Sequence, residues 1–117
     1  DSKYKYKIGL HHLYFELDDE NFTVSALNNK LLLLSTNLVD RSAINPDQAI
    51  VYFTYNRNLN KTLNYKTNNV LYYTLTLFEL VNASFEIRQF SERSTELPIT
   101  KIFLQLEICR SDSYGRF

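Results

Sequence analysis

Apolar side chains recur at every second position along most of this chain, and that period commits it to strands. Successive strand residues point to opposite faces, so alternation sends one face into a core and the other into water. Residues 99–108 are the clearest case. Ile102, Leu104, Leu106 and Ile108 share one face, while Lys101, Gln105 and Glu107 share the other. The aliphatic face is expected to be buried and its opposite wet. Pro98 stands just ahead, where no ladder N–H is needed. Residues 3–8 alternate equally well, with Lys3, Lys5 and Lys7 on one side and Tyr4, Tyr6 and Ile8 on the other. An outward lysine stripe suits an exposed edge strand, where it blocks edge-to-edge association. Gly9 then breaks the phase, predicting a bulge or bend before Leu13, Phe15 and Leu17 resume.

The same reading extends along the chain. Phe22, Val24 and Ala26 continue as a strand, and Asn28-Asn29 suits a tight hairpin turn because Asn tolerates positive φ. Residues 30–35 carry Leu on both faces, so this strand is expected to be covered on both sides. A long connection follows over 36–48, where Asn45 could cap a single helical turn with Pro46 in its first position. Residues 49–55 form a β-branched and aromatic strand, 56–69 an Asn-rich connection, 70–80 a long strand, and 84–90 its return. Leu77, Leu80, Val81 and Phe85 also fall at helical spacing. The β-branched and aromatic residues before them favour strands over an amphipathic helix at 76–90. The sum is a single all-β domain over 1–117, a compact antiparallel sandwich or barrel of about 7–8 strands with at most one or two short helical turns.

Composition narrows function mainly by exclusion. Thirteen basic residues balance thirteen acidic ones, and neither half of the chain is polarised. A bulk electrostatic grip on nucleic acid is therefore disfavoured. One Cys forms no internal disulfide, and with two His it builds no structural zinc site. The longest undiluted apolar run is Leu31-Leu32-Leu33-Leu34, far short of the ~18 residues of a membrane span, so no span and a soluble chain are expected. The chain holds no Met, which implies processing, truncation or an incomplete start, and leaves a removed signal peptide open.

Candidate sites are few. His11-His12 point to opposite faces of a regular strand and converge on a metal only through a bulge. Asp18-Asp19-Glu20 lacks the spaced ligands and Gly of a calcium loop and reads as a solvated turn. No nucleophile elbow, phosphate-binding glycine loop or Cys beside a His is present, so no catalytic residue, metal or cofactor is assigned and an enzyme is not expected. Cys109 lies opposite Ile108 in face and reads as an inert, partly buried thiol. Three glycosylation sequons begin at Asn21, Asn60 and Asn82. With 12 Asn and 18 Ser+Thr, about two arise by chance, so they are no excess. Tyr55, Arg57, Lys61, Tyr65 and Lys66 combine rings and positive charge, as a single-strand binder does.

The 9 Tyr and 8 Phe are many for one small core. Phenol hydroxyls need partners, so some Tyr must reach the surface, where Tyr is enriched at protein interfaces. Asn- and Lys-rich strings such as residues 58–69 have the texture of AT-rich coding, and together with the all-β pattern they resemble the small telokin-like proteins of baculoviruses. That resemblance rests on general character, matches no motif, and implies a viral β-rich domain without catalytic activity. The expected function is a non-enzymatic protein-interaction or assembly module, viral in character, with a protein partner or self-association. The alternatives are a secreted or cell-surface glycosylated binding domain and a single-stranded nucleic-acid binder.

Overall fold

Seven strands, all antiparallel, form two sheets in the computed structural model, which describes residues 5–18, 29–56, 61–75, 82–90 and 97–111. They are β1 (Lys5–Leu17), β2 (Leu31–Thr36), β3 (Ala49–Thr54), β4 (Thr62–Lys66), β5 (Tyr72–Leu75), β6 (Phe85–Gln89) and β7 (Ile99–Ser111). The first sheet is organised around β1, with β7 along one side and β4 and β5 sharing the other. The second has the order β3-β2-β6. Two open sheets sharing one core make a sandwich, so the barrel alternative falls away.

The core follows the period-two pattern once one irregularity is admitted. Ile8 and Leu10 are buried at even positions, and Leu13, Phe15 and Leu17 at odd ones. The β1–β7 register slips between Leu10 and His12, so His11 is the extra residue of a bulge that returns the apolar set to the inner face. The expected bulge is present, but Gly9 itself has a different task. A Cβ on Gly9 would stand 2.5 Å from Val70 Cγ1 and 2.9 Å from the Tyr72 ring. The missing side chain makes room for a neighbour.

Opposite the bulge, β4 and β5 behave as one interrupted strand. Lys66 faces His12 and Tyr72 faces Gly9, so residues 67–71 stand against only Leu10 and His11. The excursion carries Asn68, Asn69 and Leu71 into solvent. β4 corrects the expectation of a connection throughout 56–69. Leu63 and Tyr65 alternate inward between Thr62, Asn64 and Lys66, and two apolar anchors suffice on a strand paired along its length with β1.

In the second sheet Leu32, Leu33 and Leu34 are all fully buried, as the leucines on both faces required. Leu33 shares its outward face with Arg88, whose guanidinium is buried and pairs with Asp47 at 2.9 Å. That pair ties the 37–48 connection over this face. Residues 45–48 make a turn rather than a helical turn. Gln48 N–H donates to the Asn45 carbonyl, Gln48 adopts φ 53°, and the Asn45 side chain bonds both backbone groups of Ala49. Positive φ also occurs at Asn29, as expected of the Asn28-Asn29 turn, whose first residue lies outside the described residues. β5 starts at Tyr72, two residues into the strand expected over 70–80, and residues 76–81 lie outside the described residues. Residues 85–89 are strand, which removes the helical alternative there. The strand expected around 22–26 also lies outside the described residues. Among the described residues no helix is long and apolar enough to cross a membrane.

Two expectations about edges are reversed. Lys5 and Lys7 of the stripe belong to β1, which is paired on both sides and is the centre of its sheet, while Lys3 lies outside the described residues. Among the described strands the edges of this sheet are β4 and β5 on one side and β7 on the other. The aliphatic face of β7 is only partly covered, with Leu104 and Leu106 half-buried and Ile102 and Ile108 exposed.

Candidate functional site

On the outer face of the first sheet, Gly9 sits in a row between Tyr72 on β5 and Glu107 on β7. With no Cβ between them, the Tyr72 ring crosses the central strand and its hydroxyl donates to Glu107 Oε1 at 2.7 Å. His11, turned outward by the bulge, donates from Nε2 to the same oxygen at 2.6 Å. Lys7 lies over the Tyr72 ring with Nζ 4.5 Å from its centroid, a cation–π contact. The hydrogen bond from Tyr72, then that from His11, holds the Glu107 carboxyl below the usual carboxylate range; Cys109 contributes in the same direction. The same bond, with desolvation adding to it, pushes the Tyr72 phenol up to about 12. The carboxylate thus stays ionised and the phenol protonated, an arrangement that fixes the ring rather than moving protons.

Fixing Tyr72 shapes its surroundings. A cleft of about 460 Å³ opens where β5 meets the 37–48 connection and β3. Tyr52, Tyr72 and Tyr73 line it with Asp40, Asn45 and Ile44. The 37–48 connection is anchored beside β5 by an antiparallel bridge from Val39 to Leu75, both buried. Ile44 is 96 % exposed, and Tyr52, 41 % exposed, packs edge-on against Phe90 with ring centroids 6.0 Å apart. Burial first, then the neighbouring Tyr52 and Tyr65 phenols, raises the pKa of Tyr73. A second hollow, on Lys7, Val70 and Leu71, shares Tyr72, Tyr73 and Thr74 with the first.

The sequence-derived sites fare differently. Tyr55 is fully buried in the core, so it offers no ring to a surface ligand. It shares the inward face of Phe53, and the alternation Val51-Phe53-Tyr55 already carried that signal. Tyr65 also turns inward, 6.3 Å from the Phe53 ring, whereas Lys66 lies on the outer face opposite His12. Lys61 is half-buried with φ 54°, and its carbonyl accepts the Leu17 N–H. These residues do not gather on one surface, and Arg57 lies outside the described residues. Asn21 and Asn60 lie outside them as well. Asn82 is exposed, and Asn37 holds its loop by donating to the Asn82 carbonyl and accepting from Ser84 N–H. Both histidines face outward through the bulge but diverge, His11 to Glu107 and His12 to Asn64. Among the described residues no cluster of His, Cys, Asp or Glu could hold a metal ion. Cys109 is a half-buried free thiol on the outer face beside Lys7.

The tyrosine cleft was not singled out by the sequence because its rings come from strands about twenty residues apart. Only the surplus of Tyr pointed towards it. No protein-family model matches this chain, and neither a curated protein nor a solved structure was found to be similar to it.

Proposed function

We propose that this domain is a non-enzymatic protein-interaction module whose contact surface is the tyrosine cleft. The observation that carries the reading is the convergence of Tyr52, Tyr72 and Tyr73 on one open cleft, with an almost wholly exposed Ile44 at its side. Tyr rings supply large contact area at low entropic cost and dominate protein interfaces. Tyr72 is pre-ordered by Glu107, so binding need not immobilise it. The outer-face network fits this reading, because the shifts make Glu107 a weaker base and Tyr72 a weaker acid, neither tuned towards neutral pH.

A random twelve-residue peptide library displayed on phage tests the proposal. Selected peptides should shift amide resonances of residues 40–45, 52 and 72–74, and should lose binding to Ile44→Asp and Tyr52→Ser. Both side chains are exposed, so these variants keep the fold. Peptides that bind both variants as well as the parent, or that shift resonances elsewhere, refute it. A selection yielding no specific peptide also counts against it.

A further inference from the structure

We infer that the free edge of β7 is a self-recognition surface, at which a second copy of this chain adds its own β7 antiparallel across a two-fold axis through Gln105. This surface is separate from the tyrosine cleft and does not depend on it. No other described strand pairs with the far side of β7, and its side chains along 101–110 are exposed or half-buried. Natural edges of this length are protected by Pro, by bulges or by inward-pointing charges. Here Pro98 and the register slip near Thr100 disrupt only the start of the strand. From Ile102 to Ile108 there is no Pro, no Gly and one charge, Glu107, which is already tied back to Tyr72 and His11. Ile102 is 47 %, Phe103 50 % and Ile108 41 % exposed.

The occupant follows from symmetry. A two-fold edge pair places residue i of one copy opposite residue j of the other, and j opposite i, so the strand must be self-complementary. The segment Ile102-Phe103-Leu104-Gln105-Leu106-Glu107-Ile108 has aliphatic residues placed symmetrically about Gln105. With the axis there, Ile102 faces the other copy's Ile108 twice and Leu104 faces Leu106 twice. The two under-covered residues of the inner row thereby cover each other. On the outer face Lys101 lies diagonal to Glu107 of the second copy, and no like charges stand opposed. An axis through Leu106 would instead set Ile102 against Arg110. The two four-stranded sheets would merge across the axis and leave neither copy with an open β7 edge.

Light scattering on the reduced 117-residue chain over a wide concentration range should show a monomer–dimer equilibrium. Ile102→Lys with Ile108→Lys puts two inward charges on each edge and should raise the dissociation constant by at least about 100-fold. Far-UV circular dichroism verifies that this variant remains folded, and Ile108→Lys alone serves if it does not. In a Cys109→Ser background, Gln105→Cys should form a disulfide-linked dimer on mild oxidation, because opposed antiparallel residues lie within bridging distance. Phe103→Cys, which would face Glu107 rather than itself, should not. A strict monomer, a dimer indifferent to the lysines, or equal cross-linking at 103 and 105 would each overturn the inference.

Discussion

Placing a single methyl group on Gly9 tests the reasoning about the outer face most sharply. The φ of Gly9 lies outside the left-handed region, so the backbone there would accept Ala; only space forbids it. Unstrained carbon contacts sit near 3.5–4.0 Å. The new Cβ would meet Val70 Cγ1 at 2.5 Å and two Tyr72 ring atoms at 2.9 Å. Val70 is half-buried beside the excursion and Tyr72 is held at its far end by Glu107, so neither yields freely. Overpacking of this kind costs about 1–3 kcal/mol, from which Ala recovers about 0.5–1 kcal/mol of Gly's unfolded-state entropy, leaving about 0.5–2 kcal/mol of destabilisation. For a domain of this size that lowers the melting temperature by roughly 2–8 °C. With no Trp in the chain, urea and thermal melts followed by far-UV circular dichroism are the assay. Val70→Ala should relieve part of the strain, so the double variant should be more stable than the sum of the singles by about 0.5 kcal/mol or more. Gly9→Ala at parental stability, or strict additivity with Val70→Ala, refutes the space argument.

Three further outcomes follow from the packing. Leu33→Ala should cost about 2–5 kcal/mol in a urea melt although Leu33 lies on the outer face of its sheet, because it is fully buried there; a loss under 1 kcal/mol would mean that face is open. Asp47→Ala should cost about 3–5 kcal/mol by leaving the buried Arg88 with the exposed Glu86 carboxylate at 3.6 Å and the Gln89 carbonyl at 3.5 Å, and pairing it with Arg88→Met should restore much of that loss. The Glu107 network adds stability in the middle of the pH scale and loses it towards both ends. Its carboxyl is depressed on folding, so that contribution is present above the ordinary carboxylate value of 4.5 and fades as pH falls through the folded one. The Tyr72 phenol is raised, so its share is present below pH 10 and fades as pH climbs towards about 12. Glu107→Gln should flatten the acid limb of a stability–pH profile and Tyr72→Phe the alkaline limb; unchanged slopes would disprove the linkage.

Local alternation was enough to place most of β1, β2, β3, β6 and β7, because each carries its own apolar face. It was not enough for β4, whose Leu63 and Tyr65 are diluted by Asn and Lys and whose strand state depends on β1 beside it. Pairing order was equally hidden. Lys5 and Lys7 look the same on an edge or a central strand, and only the distant partners β7, β4 and β5 decide which. The site was visible as a surplus of Tyr and no further. Which rings reach the surface depends on register, which buries Tyr55 and exposes Tyr52 three residues earlier.

The position of β1 also governs how the chain can fold. Its longest ladder is with β7, and His11 bonds a residue 96 positions later. On a ribosome β1 is made before the other six described strands, yet it waits for nearly all of them before its second side is closed. Contacts this distant fold slowly, and until they form an apolar strand stands unpaired. Refolding should therefore be slow for the chain's size, and the nascent chain would expose β1 as a recognition segment for chaperones throughout synthesis.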